Sequence, residues 1–72
     1  EMQWIGLLTD EQKRAGYGVT QDEDFVYLWW GRNGMAECVA VFEYERCTIR
    51  EVRDRAQSHR EYLMINKKEV DQ

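Results

Sequence analysis

Two apolar runs dominate the chain: DFVYLWW over 24–30 and MAECVAVFEY over 35–44, separated by Gly31, Arg32, Asn33 and Gly34. β-branched and aromatic runs on either side of an Asn-Gly pair predict an antiparallel β-hairpin, because Asn-Gly accepts the positive φ angles of the two-residue turn that matches strand twist. Side chains alternate along a strand, so each face of the hairpin can be written out. A two-residue turn is expected to set Trp29 opposite Cys38, Leu28 opposite Val39 and Val26 opposite Val41. One face then carries Phe25, Tyr27, Trp29, Ala36, Cys38, Ala40 and Phe42. The other carries Val26, Leu28, Trp30, Met35, Val39 and Val41, with Glu37 and Glu43 towards its ends. A four-residue GRNG turn preserves this parity, and only an odd loop length inverts it. Continuous apolar runs mark strands covered on both sides, so the hairpin requires two covers.

Helical patterns flank it. Thr9-Asp10-Glu11-Gln12 has the form of a capping box, with two carboxylates in the first turn and Gly16 placed for a left-handed cap, and it predicts a short helix over Asp10–Ala15. Thr48-Ile49-Arg50-Glu51 is a second capping box. Behind it Ile49, Val52, Ala56, His59 and Leu63 form one helical stripe, which predicts an amphipathic helix over Ile49–Tyr62 packed on a hairpin face. The MQWIGLL segment, 2–8, fits a strand or an extended segment lying on the hairpin, and YLMI, 62–65, fits a helical continuation or an edge strand. Gly16-Tyr17-Gly18 and the polar residues before Asp24 are expected to be a flexible cap and turn. The fold class expected is α+β: a short N-terminal helix, a central antiparallel hairpin with room for a third strand, and a longer C-terminal helix packed on the sheet. Residues 1–66 make one small domain, and 67–72 are expected to fray.

Size sharpens the need for covers. A chain of 72 residues buries only about 60–65% of its unfolded surface, so stability rests on a well-filled core or a partner. Three Trp, four Tyr and two Phe provide bulk for that core. Cys38 and Cys47 stand nine residues apart around the end of the hairpin, too far in extended chain for a bridge, and are expected to be reduced packing thiols; a cytoplasmic location follows from that expectation. No apolar run approaches a membrane span, and no membrane association is expected.

Candidate chemistry is sparse. Gly16-Tyr17-Gly18 lacks the third glycine and following helix of a phosphate loop. Asp22, Glu23 and Asp24 lack the ligand spacing of a calcium loop. His59, the single histidine, is expected at the edge of the core. Ser58 beside it cannot face it on a helix, and Cys47 with His59 is too few ligands for zinc. No catalytic residue, cofactor or metal is therefore assigned, and an enzyme is not expected.

Charge is unevenly distributed. Residues 1–45 carry nine acidic and three basic side chains, net −6; residues 46–72 carry seven basic and five acidic, net +2, and the sum is −4. Arg46, Arg50, Arg53 and Arg60 mark one flank of the C-terminal helix and suit phosphates or an acidic protein surface. The net negative charge and a pI near 4.9 disfavour nucleic acid. The function expected is a non-catalytic interaction or self-association module using an apolar sheet face, with Leu28, Trp30, Met35, Val39 and Val41 as the interface and a homodimer or another protein as the partner. The alternative is a small regulatory domain that binds nucleic acid or an acidic partner through the arginine flank.

Overall fold

The computed structural model describes residues 7–32 and 34–70, with side chains through 66. The elements run α1 (Asp10–Arg14), β1 (Tyr17–Gln21), β2 (Phe25–Arg32), β3 (Met35–Glu43) and α2 (Ile49–Val70). The strands make one antiparallel sheet in the order β1-β2-β3, with both helices on one side of it. The fold is α+β. The third strand comes from the stretch expected to be a flexible turn: Tyr17, Val19 and Gln21 pair with Trp30, Leu28 and Val26. Most of residues 2–8 lies outside the described residues; Leu7 and Leu8 are buried there without joining the sheet.

The core is built from Leu7, Leu8, Tyr17, Val26, Leu28, Val52 and Ala56, with Leu28, Val26 and Val52 the largest fully buried side chains. Burial of each large apolar side chain contributes about 1.5–3 kcal/mol. The stripe expected on α2 meets the sheet at Val52, Ala56 and His59; its first member, Ile49, stays exposed. Thr48 caps this helix by accepting from the Glu51 amide at 3.2 Å. No glycine or proline interrupts the sequence after Tyr62, and α2 continues to Val70. Tyr62, Met64 and Ile65 consequently sit exposed on helix, where an edge strand was the other expectation.

With five residues, α1 is too short to persist alone, and its polar ties explain its position. The Gln12 amide donates to Thr9 Oγ1 at 3.1 Å and the Thr9 amide to Gln12 Oε1 at 3.1 Å, closing the capping box. Gln12 is buried, and its Nε2 donates to the Arg53 carbonyl of α2 at 3.1 Å. Arg53 Nε in turn donates to the Leu7 carbonyl at 2.6 Å. At the end of α1, Gly16 adopts φ 106°, and its carbonyl accepts from the Gly31 amide at 3.1 Å. A Cβ there would lie 2.7 Å from the Gly31 carbonyl oxygen, so both the angle and the approach call for glycine.

The β2–β3 register corrects the expected parity. Arg32 pairs with Met35 across the connection between the strands, and Trp29 pairs with Cys38 as expected. A bulge then intervenes: Leu28 pairs with Ala40, not Val39, and Val26 with Phe42, not Val41. One extra residue inverts every later position. Phe42 and Ala40 thereby join Val26 and Leu28 under α2, while Val41 and Glu43 turn to the opposite face. A regular ladder would have placed Glu43 beside Val26, where a buried unpaired carboxylate is costly. The bulge sends that charge to solvent.

Candidate functional site

The sheet face turned away from the helices bears Phe25, Tyr27 and Trp29 on β2, with Glu43, Val41 and Cys38 paired opposite them on β3. Among the described residues, no helix lies over it. Phe25 is 41% exposed and Val41 52% exposed. The three rings form a row: centroids lie 6.3 Å apart between Phe25 and Tyr27 and 6.4 Å apart between Tyr27 and Trp29. Polar bonds fix two of them. Trp29 Nε1 donates to Thr20 Oγ1 at 2.8 Å, and the Tyr27 hydroxyl donates to Asp22 Oδ2 at 2.6 Å.

Asp22 shapes the β1–β2 turn as well as holding Tyr27. Its Oδ1 accepts from the Asp24 amide at 2.9 Å and the Phe25 amide at 2.7 Å. These bonds, the Tyr27 hydroxyl first, keep the Asp22 carboxyl below its ordinary pKa, and the same carboxylate holds the Tyr27 phenol above its own. Glu23, Asp24, Glu43 and Glu45 surround Phe25 at this end of the face, so the aromatic row begins in a group of carboxylates.

The expected interface residues separate in the structure. Leu28 is fully buried in the core, and Trp30 and Val39 are half-buried against it. Met35, 79% exposed, stands beside the β2–β3 turn. Val41 alone of the five lies on the open face, placed there by the bulge. The face that alternation pointed to is the covered one, and its opposite is open.

The arginine flank separates too. Arg53 is held to the Leu7 carbonyl, and Arg60 Nη1 forms an ion pair with Glu11 Oε1 at 3.0 Å. Arg46 lies in the turn before α2 and Arg50 in its first turn, both exposed. The four do not form one row of free cations.

His59 is the polar centre of the helix–sheet contact. Its Nδ1 lies 2.8 Å from the Tyr17 hydroxyl, and its Nε2 lies 3.9 Å from Glu37 Oε1. The ring meets Tyr17 edge-on at 5.7 Å and Trp30 at 5.6 Å between centroids. Trp30 Nε1 donates to the Ala15 carbonyl at 3.1 Å. Burial raises the Tyr17 phenol above its ordinary pKa, against the pull of Arg60 and Arg55. A buried phenol that retains its proton more firmly than usual makes a poor nucleophile. The Tyr17–His59 contact joins sheet to helix, and His59 sits at the core edge as its place on the stripe suggests.

Both cysteines are free, Cys38 exposed and Cys47 half-buried. Burial raises the Cys47 thiol above its ordinary pKa, with Glu51 adding to the effect, which lowers its reactivity. Among the described residues, no group of three His, Cys, Asp or Glu side chains is placed to hold a metal ion, and no helix is long and apolar enough to cross a membrane. No protein family, curated protein or solved structure matches the chain.

Proposed function

We propose that the chain is a non-catalytic docking module whose open sheet face receives an extended, positively charged segment of a partner protein. The observation that carries the reading is the Phe25–Tyr27–Trp29 row, its last two rings fixed, with carboxylates around the first. Rings locked by Thr20 and Asp22 lose little freedom on binding, and aromatic faces attract guanidinium and ammonium groups. The carboxylates at the Phe25 end favour the same charge.

Area favours a segment over a second copy. Three strands about 4.8 Å apart and roughly seven residues long, at about 3.3 Å per residue, give a footprint of roughly 330 Å². A stable dimer needs about 800 Å² from each partner. An extended peptide of six to eight residues, by contrast, is matched to strands of this length.

Binding is tested with a ten-residue peptide alternating arginine and leucine, followed by amide and indole NMR shifts. Shifts concentrated on Phe25, Tyr27, Trp29 and Val41, weakened at high salt and by Trp29→Ala, are the expected result. Equal binding of a glutamate–leucine peptide, shifts confined to α2, or no shifts would overturn the reading. Concentration-dependent shifts on the same face without peptide, together with a dimer in sedimentation equilibrium, would replace the segment by a second copy.

A further inference from the structure

A groove of about 620 Å³ opens on the helical side of the molecule, away from the open sheet face, between the end of α1, the last residues of β2 and the second half of α2. Its volume is within the range of small-molecule sites. Three arginines from three different elements line it: Arg14 of α1, Arg32 of β2 and Arg60 of α2. Glu11 is the one carboxylate in the lining and already pairs with Arg60 at 3.0 Å. Three cations less one anion leave two positive charges around a single concavity. Arg14 and Arg32 make no ion pair with any described residue. Like charges gathered in this way are mutually repulsive, and an anion between them relieves the repulsion.

The remaining walls are apolar and aromatic. Tyr17 and Trp30, with ring centroids 6.5 Å apart and planes inclined at 47°, flank the groove, and Leu63 closes the α2 side. The Trp30 indole is held in place by its bond to the Ala15 carbonyl. Phosphate is suited to the polar half: a monoester carries about −1.5 to −2 charge at neutral pH, and guanidinium groups bind its oxygens in pairs. A flat ring is suited to the other half by packing on the half-buried Trp30 indole.

We propose that this groove is a binding site for a small aromatic phosphate monoester, its phosphate held by Arg14, Arg32 and Arg60 and its ring set against Trp30. The site is independent of the docking face, since it shares neither Phe25, Tyr27 nor Trp29 with it.

Titration with phenyl phosphate, inorganic phosphate and phenol, followed by NMR of the arginine side chains and the Trp30 indole, tests the proposal. Phenyl phosphate is expected to shift Arg14, Arg32 and Trp30 signals together, with inorganic phosphate weaker and phenol without effect. The Arg14→Gln/Arg32→Gln double variant removes the two unpaired cations while leaving the Arg60–Glu11 tie intact. It is expected to lose affinity by about a hundredfold or more. Glu11→Gln frees Arg60 and is expected to tighten binding severalfold, a gain that damage to the fold would not produce. Equal binding of inorganic phosphate would overturn the ring half of the proposal. No shift on adding phenyl phosphate, or unchanged affinity in the double variant, would overturn it entirely.

Discussion

The Tyr17 hydroxyl lies 2.8 Å from Nδ1 of His59, joining the first residue of β1 to the middle of α2 across 42 positions of sequence. Tyr17→Phe keeps the ring packing against Trp30 and His59 while deleting this bond. It is expected to destabilise the fold by about 1 kcal/mol, more if the imidazole nitrogen finds no water, as measured by urea unfolding at neutral pH. The pH dependence has a defined sign. Because burial raises the phenol's pKa in the folded chain, the stabilisation is present below the ordinary tyrosine value near 10 and is lost as pH rises through the elevated folded value. Tyr17→Phe is therefore expected to flatten the alkaline fall in stability. Tyr27, whose phenol Asp22 raises, and Cys47, whose thiol burial raises, contribute to the rest of that fall.

Asp22 governs the acid side. Its carboxyl pKa is lowered by the Tyr27 hydroxyl and by the Phe25 and Asp24 amides, so its contribution is present above the ordinary aspartate value near 4 and is lost as pH falls through the depressed folded value. Asp22→Asn is expected to lower the melting temperature at pH 7 and to reduce its further decline between about pH 4 and pH 2. Tyr27→Phe, which removes one of the three bonds, is expected to give an intermediate profile. Thermal unfolding of the three proteins across this range checks both statements. A decline in Asp22→Asn as steep as that of the parent chain would refute them.

Gln12 is the buried polar residue through which α1 is docked. Its side chain accepts from Thr9 and donates to Arg53. Gln12→Ala strands the Arg53 carbonyl and removes half of the capping box, and a loss of about 2–3 kcal/mol is expected. Thr9→Ala breaks only the cap and is expected to cost about 1 kcal/mol. Hydrogen exchange should show the larger effect spreading to the α1–α2 contact around Leu7 and Arg53, with the smaller one confined to the first turn of α1.

Local signals were legible in the sequence wherever a few neighbouring residues determine the geometry. The capping box at Thr9, the Thr48 cap and the Val52–Ala56–His59 stripe each depend on contacts within a turn or two of chain. What escaped depends on distant partners. β1 is short and half polar, and its Tyr17–Val19 alternation gains meaning only once Asp22 is seen to close a turn into β2. The groove arginines come from three elements far apart in sequence, and no local spacing relates Arg14, Arg32 and Arg60. The open face was misplaced for a third reason. Periodicity carries no mark of a bulge, although Glu43 on the expected buried face was an available warning: a carboxylate in line with Val26 and Leu28 conflicts with burial.

The bulge yields the most direct test of which face is open. In the observed register Val41 projects from the face opposite α2, while Phe42 packs against the core beside Val26. A regular register would reverse their roles. Val41→Lys is therefore expected to change stability by no more than about 0.5 kcal/mol, as exposed substitutions generally do. Phe42→Ala is expected to cost about 2–3 kcal/mol, below the loss for a fully enclosed phenylalanine because Phe42 is only half-buried. The expected ordering is the reverse of what uninterrupted alternation implies, and denaturant midpoints for the two variants distinguish the registers without a further structure. Val41→Lys also places a cation beside Tyr27, the middle ring of the aromatic row. If the open face receives a positively charged segment, this variant should remain folded and yet bind the arginine–leucine peptide much more weakly than the parent chain.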